Sequence, residues 1–290
     1  MTGTKIIKLK LEEGGTADKL PSLKVDVVDK GMVDKALGVY RETMHMGNFT
    51  AHPEEKHDEY HQSVLEATKD CNVNSATLGM VADILQSKDY VEEMERAKGA
   101  QFRSVVSDKM GFFLTALIQN SEHSMFRIKA TKTMDYIGYQ LKGDKTIIVD
   151  GNVGVATGSQ MEGGTIIVDG SEQSHLGSNM RGGFIHLKGN ARDYVGTRMS
   201  GGEIIIDGNV GTVVGREMTD GKITIGGNVE SNVGIEMSGG EIHIKGDVER
   251  DWVGSEMRGG IIRVDGESKG VSRWYKRGEI WHKGKKVRPE

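Results

Sequence analysis

The residues best suited to chemistry lie in one short stretch, His57-Asp58-Glu59-Tyr60-His61, with His45, His52, Glu54 and Glu55 close by. Histidines four apart share one face of a helix and can ligate a single metal ion. A zincin helix also needs glutamate directly after the first histidine, and Asp58 stands there. The inverted motif needs it directly before the second histidine, where Tyr60 stands. His57 and His61 are thus weak metal candidates. A metal-dependent enzyme built on the His45–His61 segment is one alternative function, against a solvated, charged helix face with no metal, which is the reading adopted. The lone Cys71 excludes a CxxC redox motif, a cysteine-held iron–sulfur cluster and a disulfide framework. No G-x-x-x-x-G-K-[ST] phosphate loop, serine triad or carboxylate pair stands out, so no catalytic or cofactor-binding residue is assigned.

Charge narrows the partners. The formal net charge is −4, with a pI near 6.2, so the basic field of a nucleic-acid binder is absent. The N-terminus MTGTKIIKLKLEEGG lacks the apolar core of a signal peptide. The longest apolar stretch, Met110 to Ile118, falls far short of the roughly 18 residues of a membrane span. The expectation is a cytoplasmic protein with neither nucleic acid nor membrane among its partners.

What positions these residues is written in glycine. The chain has 41 glycines and only 3 prolines in 290 residues, a glycine content about twice the usual ~7%. Glycine without proline signals many tight turns between short ordered segments. Met161, Met180, Met199, Met218, Met237 and Met257 recur every 19 residues, with one interval of 20. Gly158, Gly177, Gly196, Gly215, Gly234 and Gly254 stand three residues before each. Gly151, Gly170, Gly189, Gly208, Gly227, Gly246 and Gly266 form a third column, and glycine pairs such as Gly182-Gly183 a fourth. Between pair and column glycine runs an alternating strand whose first inward slot is Ile147, Ile166, Ile185, Ile204, Ile223, Ile242 and Ile262. A second short strand ends at Thr157, Leu176, Val195, Val214, Val233 or Val253.

Two short strands and glycine corners in a 19-residue unit predict a right-handed parallel β-helix of about seven coils, a mainly β fold. Like residues then stack ~4.8 Å apart, giving a rod roughly 34 Å long. The glycines suit corners with positive φ or close backbone approach, and Asn152, Asn190, Asn209 and Asn228 suit left-handed turns. Methionine at a corner reads as core packing. A degenerate first coil, with Gly138, Leu141 and Gly143 in the repeat slots, carries the array back to about Phe126.

Four segments follow. Residues 1–30 are a lead-in with short strands at 4–10 and 23–29. Residues 31–124 are helical, over roughly 31–46, 54–70, 74–87, 88–98 and 100–120, with apolar stripes Val33–Leu37–Tyr40–Met44 and Leu78–Val81–Leu85–Val91–Met94. Such a segment would cap the open end of the β-helix or dock a partner. Residues 125–268 are the β-helix. Residues 269–290 break the period as a basic tail with Trp274, Tyr275 and Trp281. Counted from Glu267, this end carries +5, leaving about −9 for the rest. Its Trp and Arg content suits capping or partner docking.

The unit G-x-x-M-x-G-G-x-I-x-V-x-G-N-V resembles the GXGXG-domain family over about half of the chain. The run Met199-Ser200-Gly201-Gly202-Glu203-Ile204-Ile205-Ile206-Asp207-Gly208-Asn209-Val210 is most similar to the GXGXG-domain subunit of formylmethanofuran dehydrogenase. The family also includes the C-terminal domain of the glutamate synthase large subunit and related subunits of N-methylglutamate synthase. The resemblance implies a non-catalytic scaffold subunit of a multi-subunit oxidoreductase or formyltransferase-type complex in one-carbon metabolism. Catalytic protein subunits would be its partners and would hold the molybdenum or tungsten, flavin or iron–sulfur centres, with no cofactor on this chain. A subunit of a glutamate-synthase-like amidotransferase or of an N-methylglutamate synthase flavoenzyme is the other implied function. The helical segment and the basic tail depart from the family pattern.

Overall fold

The computed structural model describes residues 28–43, 54–88, 90, 92, 102–250 and 253–287, without the side chains of 54–56 and 102–108. Four helices come first: α1 (Lys30–Thr43), α2 (Glu54–Ala67), α3 (Ser75–Gln86) and α4 (Phe102–Asn120). A parallel β-solenoid of about eight turns follows. Its strands are β1 (Met125–Lys129), β2 (Thr146–Asp150), β3 (Thr165–Asp169), β4 (Glu172–Ser174), β5 (Phe184–Leu187), β6 (Ala191–Asp193) and β7 (Ser200–Ile206). Then come β8 (Val210–Val214), β9 (Asp220–Ile225), β10 (Val229–Val233), β11 (Glu241–Ile244), β12 (Ile261–Val264), β13 (Glu279–His282) and β14 (Lys285–Val287). The longer sheet runs β1-β2-β3-β5-β7-β9-β11-β12-β13-β14, parallel until the final antiparallel pair; the shorter runs β4-β6-β8-β10. The expected helix over 88–98 is seen only at Lys88, Tyr90 and Glu92; the strand at 4–10, nearly all of that at 23–29, and Met44, Val91 and Met94 lie outside the described residues.

The isoleucine column is an in-register ladder, Ile147 beside Ile166, then Ile185, Ile204, Ile223, Ile242 and Ile262. Every one is buried, as are all six repeat methionines. The glycines explain why methionine fits. A Cβ on Gly183, at φ 90°, would lie 2.6 Å from the Cε of Met161 one coil back. Each methionine therefore packs its methyl where the next coil has no side chain. At Gly170 the reason is close approach alone, since a Cβ would sit 2.2 Å from the Gly151 carbonyl oxygen.

The asparagines do something other than expected. None of Asn152, Asn190, Asn209 and Asn228 has positive φ. Each side-chain oxygen instead accepts the backbone N–H 19 residues on: Ser171 from Asn152, Asn209 from Asn190, Asn228 from Asn209 and Asp247 from Asn228, at 2.7–3.0 Å. Ser171 Oγ accepts from Asn190 and Asp247 from Glu267, so the ladder climbs the corner unbroken. The second strands are also shorter than expected in four coils: β4 and β6 end at Ser174 and Asp193, and only single bridges at Val155 and Val253 stand where strands ending at Thr157 and Val253 are expected, while β8 and β10 reach Val214 and Val233.

The segment 269–290 is no separate tail, because its described residues close the solenoid. The last coil is one residue short: Val271 bridges Val253, and Ile280 pairs with Ile262, each 18 residues apart. Tyr275 takes the methionine slot, its N–H bonding Ser272 as Met257 bonds Gly254. β14 then folds back over β13, covering the last strand with Lys285 and Lys286. Lysines on such an edge discourage further strand addition.

The other end is closed by helices acting as a surrogate coil. In later coils the N–H of Gly158, Gly177 or Gly196 donates to a carbonyl of the coil before. The first coil has none before it, and the N–H of Gly138 donates to Thr115 Oγ1 of α4 at 2.8 Å. Lys142, whose counterparts bond a carbonyl in the methionine column, donates to Gln119 Oε1 at 2.9 Å. On the edge of β1, Arg127 donates to Ser75 Oγ and Gln86 Nε2 donates to the Lys129 carbonyl, both at 3.0 Å. α3 lies along that edge, with its apolar residues Leu78, Val81 and Leu85 buried. Tyr40 and Phe113 pack edge to face at 4.9 Å, joining α1 to α4. Thr115→Val keeps the shape but leaves the buried Gly138 amide unpaired, and should cost about 1–3 kcal/mol. Urea unfolding followed by circular dichroism measures this, and unchanged stability would refute the surrogate-coil account.

Candidate functional site

α2 lays His57, Asp58, Tyr60 and His61 against α4 and the first coils, so the expected solvated face is a packed one. His61 is 1% exposed. Its ring meets Tyr139 edge-on at 5.4 Å and lies 5.9 Å from Phe112. His57 lies 5.9 Å from the same Phe112 and 4.9 Å from Tyr136. Both imidazoles are thus engaged by aromatic rings. Among the described residues no three His, Cys, Asp or Glu side chains converge as metal ligands. His45 and His52 lie outside the described residues, as do the side chains of Glu54 and Glu55. Cys71 is buried just beyond α2, and burial pushes its thiol pKa up, the opposite of an activated nucleophile.

Beside the rings runs a polar network that helical spacing does not pick out. Asp58 Oδ1 accepts from Tyr139 Oη at 2.5 Å and from Gln140 Nε2 at 2.6 Å. Tyr139 Oη in turn accepts from Gln160 Nε2 at 2.7 Å, and Gln140 donates to Gln160 Oε1 at 3.1 Å. Asp58 therefore fastens α2 to two successive coils, through two glutamines in the same repeat slot. That slot has positive φ at Gln140, Gln160, Asn179, Arg198, Glu217, Glu236 and Glu256 alike. Helix periodicity points at His57 and His61; only coil phase points at Gln140 and Gln160.

Coil phase also exposes the most unusual group. Val153, Glu172, Ala191, Val210, Val229 and Val248 fill one buried column, and Glu172 is its only charged member. It is 3% exposed, and neither carboxyl oxygen closes a hydrogen bond, although the Ser174 and Ala156 amides approach it. Its register partner in β6 is Ala191, the smallest residue of the column, which leaves room for the longer side chain. Burial, reinforced by the charges of Asp135 and Asp193, raises its pKa well above the ordinary carboxylate value. Burying the carboxyl inside an apolar stack disfavours its charged form, which is a cost to folding.

No protein-family model matches the chain, and no curated protein matches its sequence.

Two measurements check these assignments. Burial, helped by Lys142 and opposed by Asp58, brings the His61 pKa down to about 4. An imidazole depressed in the folded state adds stability above its ordinary pKa of 6.5 and loses it as pH falls toward 4. Unfolding free energy should drop by roughly 3 kcal/mol across that window, and His61→Leu should remove most of the drop. A variant as acid-labile as the wild type would assign the lability elsewhere. For Glu172 the sign reverses: a raised carboxyl pKa stabilises below about 4.3 and the contribution is lost as pH climbs toward the folded value. Glu172→Val, which restores the column, should gain about 1–3 kcal/mol at neutral pH and less at pH 4. A destabilised variant would show instead that the carboxyl is needed for packing.

Proposed function

We propose that the chain is a non-catalytic scaffold subunit of a hetero-oligomeric enzyme, binding catalytic subunits along the side of its β-solenoid. The observation that carries this is the outer face of the longer sheet. Between the inward isoleucines and valines runs an outward row, Ile148, Ile167, His186, Ile205, Thr224, His243 and Arg263, in register from coil to coil. Ile148, Ile167 and Ile205 are half-buried, with Phe184 beside the row and His186, bonded to Asp207, between the last two. The later part of the row is polar, with Arg263 paired to Glu241 and His243 to Asp265. A flat, rigid, half-apolar strip bounded by ion pairs has the anatomy of an interface, an apolar centre and a polar rim. A solenoid offers it without rearrangement, since each coil contacts only its neighbours.

The interior supports the same reading. Apart from Glu172, the columns that fill the coils are buried aliphatic and methionine side chains, and the two histidines are packed among aromatic rings. The resemblance of the repeat to the GXGXG-domain subunit of formylmethanofuran dehydrogenase points to an oxidoreductase or formyl-transfer complex of one-carbon metabolism. Redox or metal centres would then belong to the partner subunits.

Purification from the native source under mild conditions tests this. The expected result is a stable complex whose other subunits, identified by mass spectrometry, carry the catalytic motifs. Ile167→Glu with Ile205→Glu should leave the fold intact and strip those subunits away. A protein recovered only as a lone species would overturn the proposal, and a glutaminase with a flavoprotein among the partners would move the chain to the amidotransferase assembly.

A further inference from the structure

We propose that one corner of the terminal coil, formed by Arg258, Arg273, Trp274 and Arg277, is a docking face for an acidic protein surface. This rests on the scaffold reading and names one contact such a subunit would make. Three lysines at the basic end of the chain are neutralised, Lys276 by Glu256, Lys283 by Glu267 and Lys286 by Glu279, while Lys269 and Lys285 pair with no acid among the described residues. Arg258, Arg273 and Arg277 are the exception at this corner, exposed and in no ion pair among the described residues. Arg258 and Arg277 are neighbours by construction. The Arg277 N–H donates to the Met257 carbonyl at 3.0 Å, which sets it beside Arg258 of the preceding coil.

Trp274 gives the patch its anchor. It is 56% exposed, with the Arg273 guanidinium 4.6 Å from its ring centre. Coil packing does not call for it, because Tyr275 already fills the inward methionine slot and the equivalents of Trp274 in earlier coils are Glu256, Glu236 and Glu217. An exposed tryptophan with an arginine over its ring, on the same coil corner as further unpaired arginines, has the composition of a binding hot spot. The charge sets the partner's sign, and its amount sets the class. Three unpaired arginines fall short of the about 6–10 phosphate contacts of a typical nucleic-acid site. The rest of the chain carries about −9 and would repel a polyanion extending beyond the corner. A compact acidic protein patch fits both limits.

The test uses the full chain and a labelled Glu/Asp-rich peptide in fluorescence anisotropy, with single-stranded DNA of equal length alongside. Saturable peptide binding that weakens as salt rises is expected. Arg273→Ala with Arg277→Ala should weaken it about tenfold or more, as should Trp274→Ala, with the thermal unfolding midpoint unchanged. No saturable binding, equal binding by the variants, tighter binding to DNA, or salt-sensitive dimerisation through these same residues would each overturn the inference. The variants are then carried through native purification. Peptide binding is read on the isolated chain, so its failure leaves the scaffold proposal standing, and a partnerless wild type leaves this result standing.

Discussion

Each coil of this protein makes its strand-ladder hydrogen bonds to the coils before and after it, and everything else depends on that. A coil satisfies none of its own ladder, so the first and last would leave a row of buried or edge donors and acceptors open. The chain closes the two ends by unlike means. At the start, side chains of α3 and α4 stand in for backbone: Thr115 and Gln119 accept where carbonyls accept in later coils. At the finish, β14 turns back across β13 and presents lysines outward. The methionine–glycine pairing and the asparagine ladder follow from the same stacking, because coils in phase bring a methyl over a bare Cα or a side-chain oxygen under an amide.

The fold was legible because stacking forces repetition. Seven isoleucines in one slot and six methionines in another stand in plain view along the chain. The last coil was hidden by one missing residue and three exchanges, since Ser272 replaces glycine, Tyr275 replaces methionine and Arg277 breaks the glycine pair. Gly278 and Ile280, each 18 residues beyond Gly260 and Ile262, were the readable traces. The asparagines were placed correctly but for the wrong reason. Left-handed turns and inter-coil hydrogen bonds both favour asparagine after glycine, and only φ separates the two.

The site was harder to read. His57 and His61 stand out by helical spacing, yet which neighbours a helix face meets is a tertiary fact that spacing does not contain. Phe112, Tyr136 and Tyr139 meet it here. Glu172 was readable in principle, as the acid in a column of valines, and an alignment of the repeats down that column would have singled it out.

The end-capping arrangement has a metric consequence. The helical cap and the tryptophan corner sit at opposite ends of a stack whose length changes only by whole coils, so their separation comes in steps of about 4.8 Å. Removing one unit, for instance from Gly189 to Asp207, would leave both ends chemically intact and bring them one step closer. The molecule is in that sense a graduated ruler, with its graduations at the glycines.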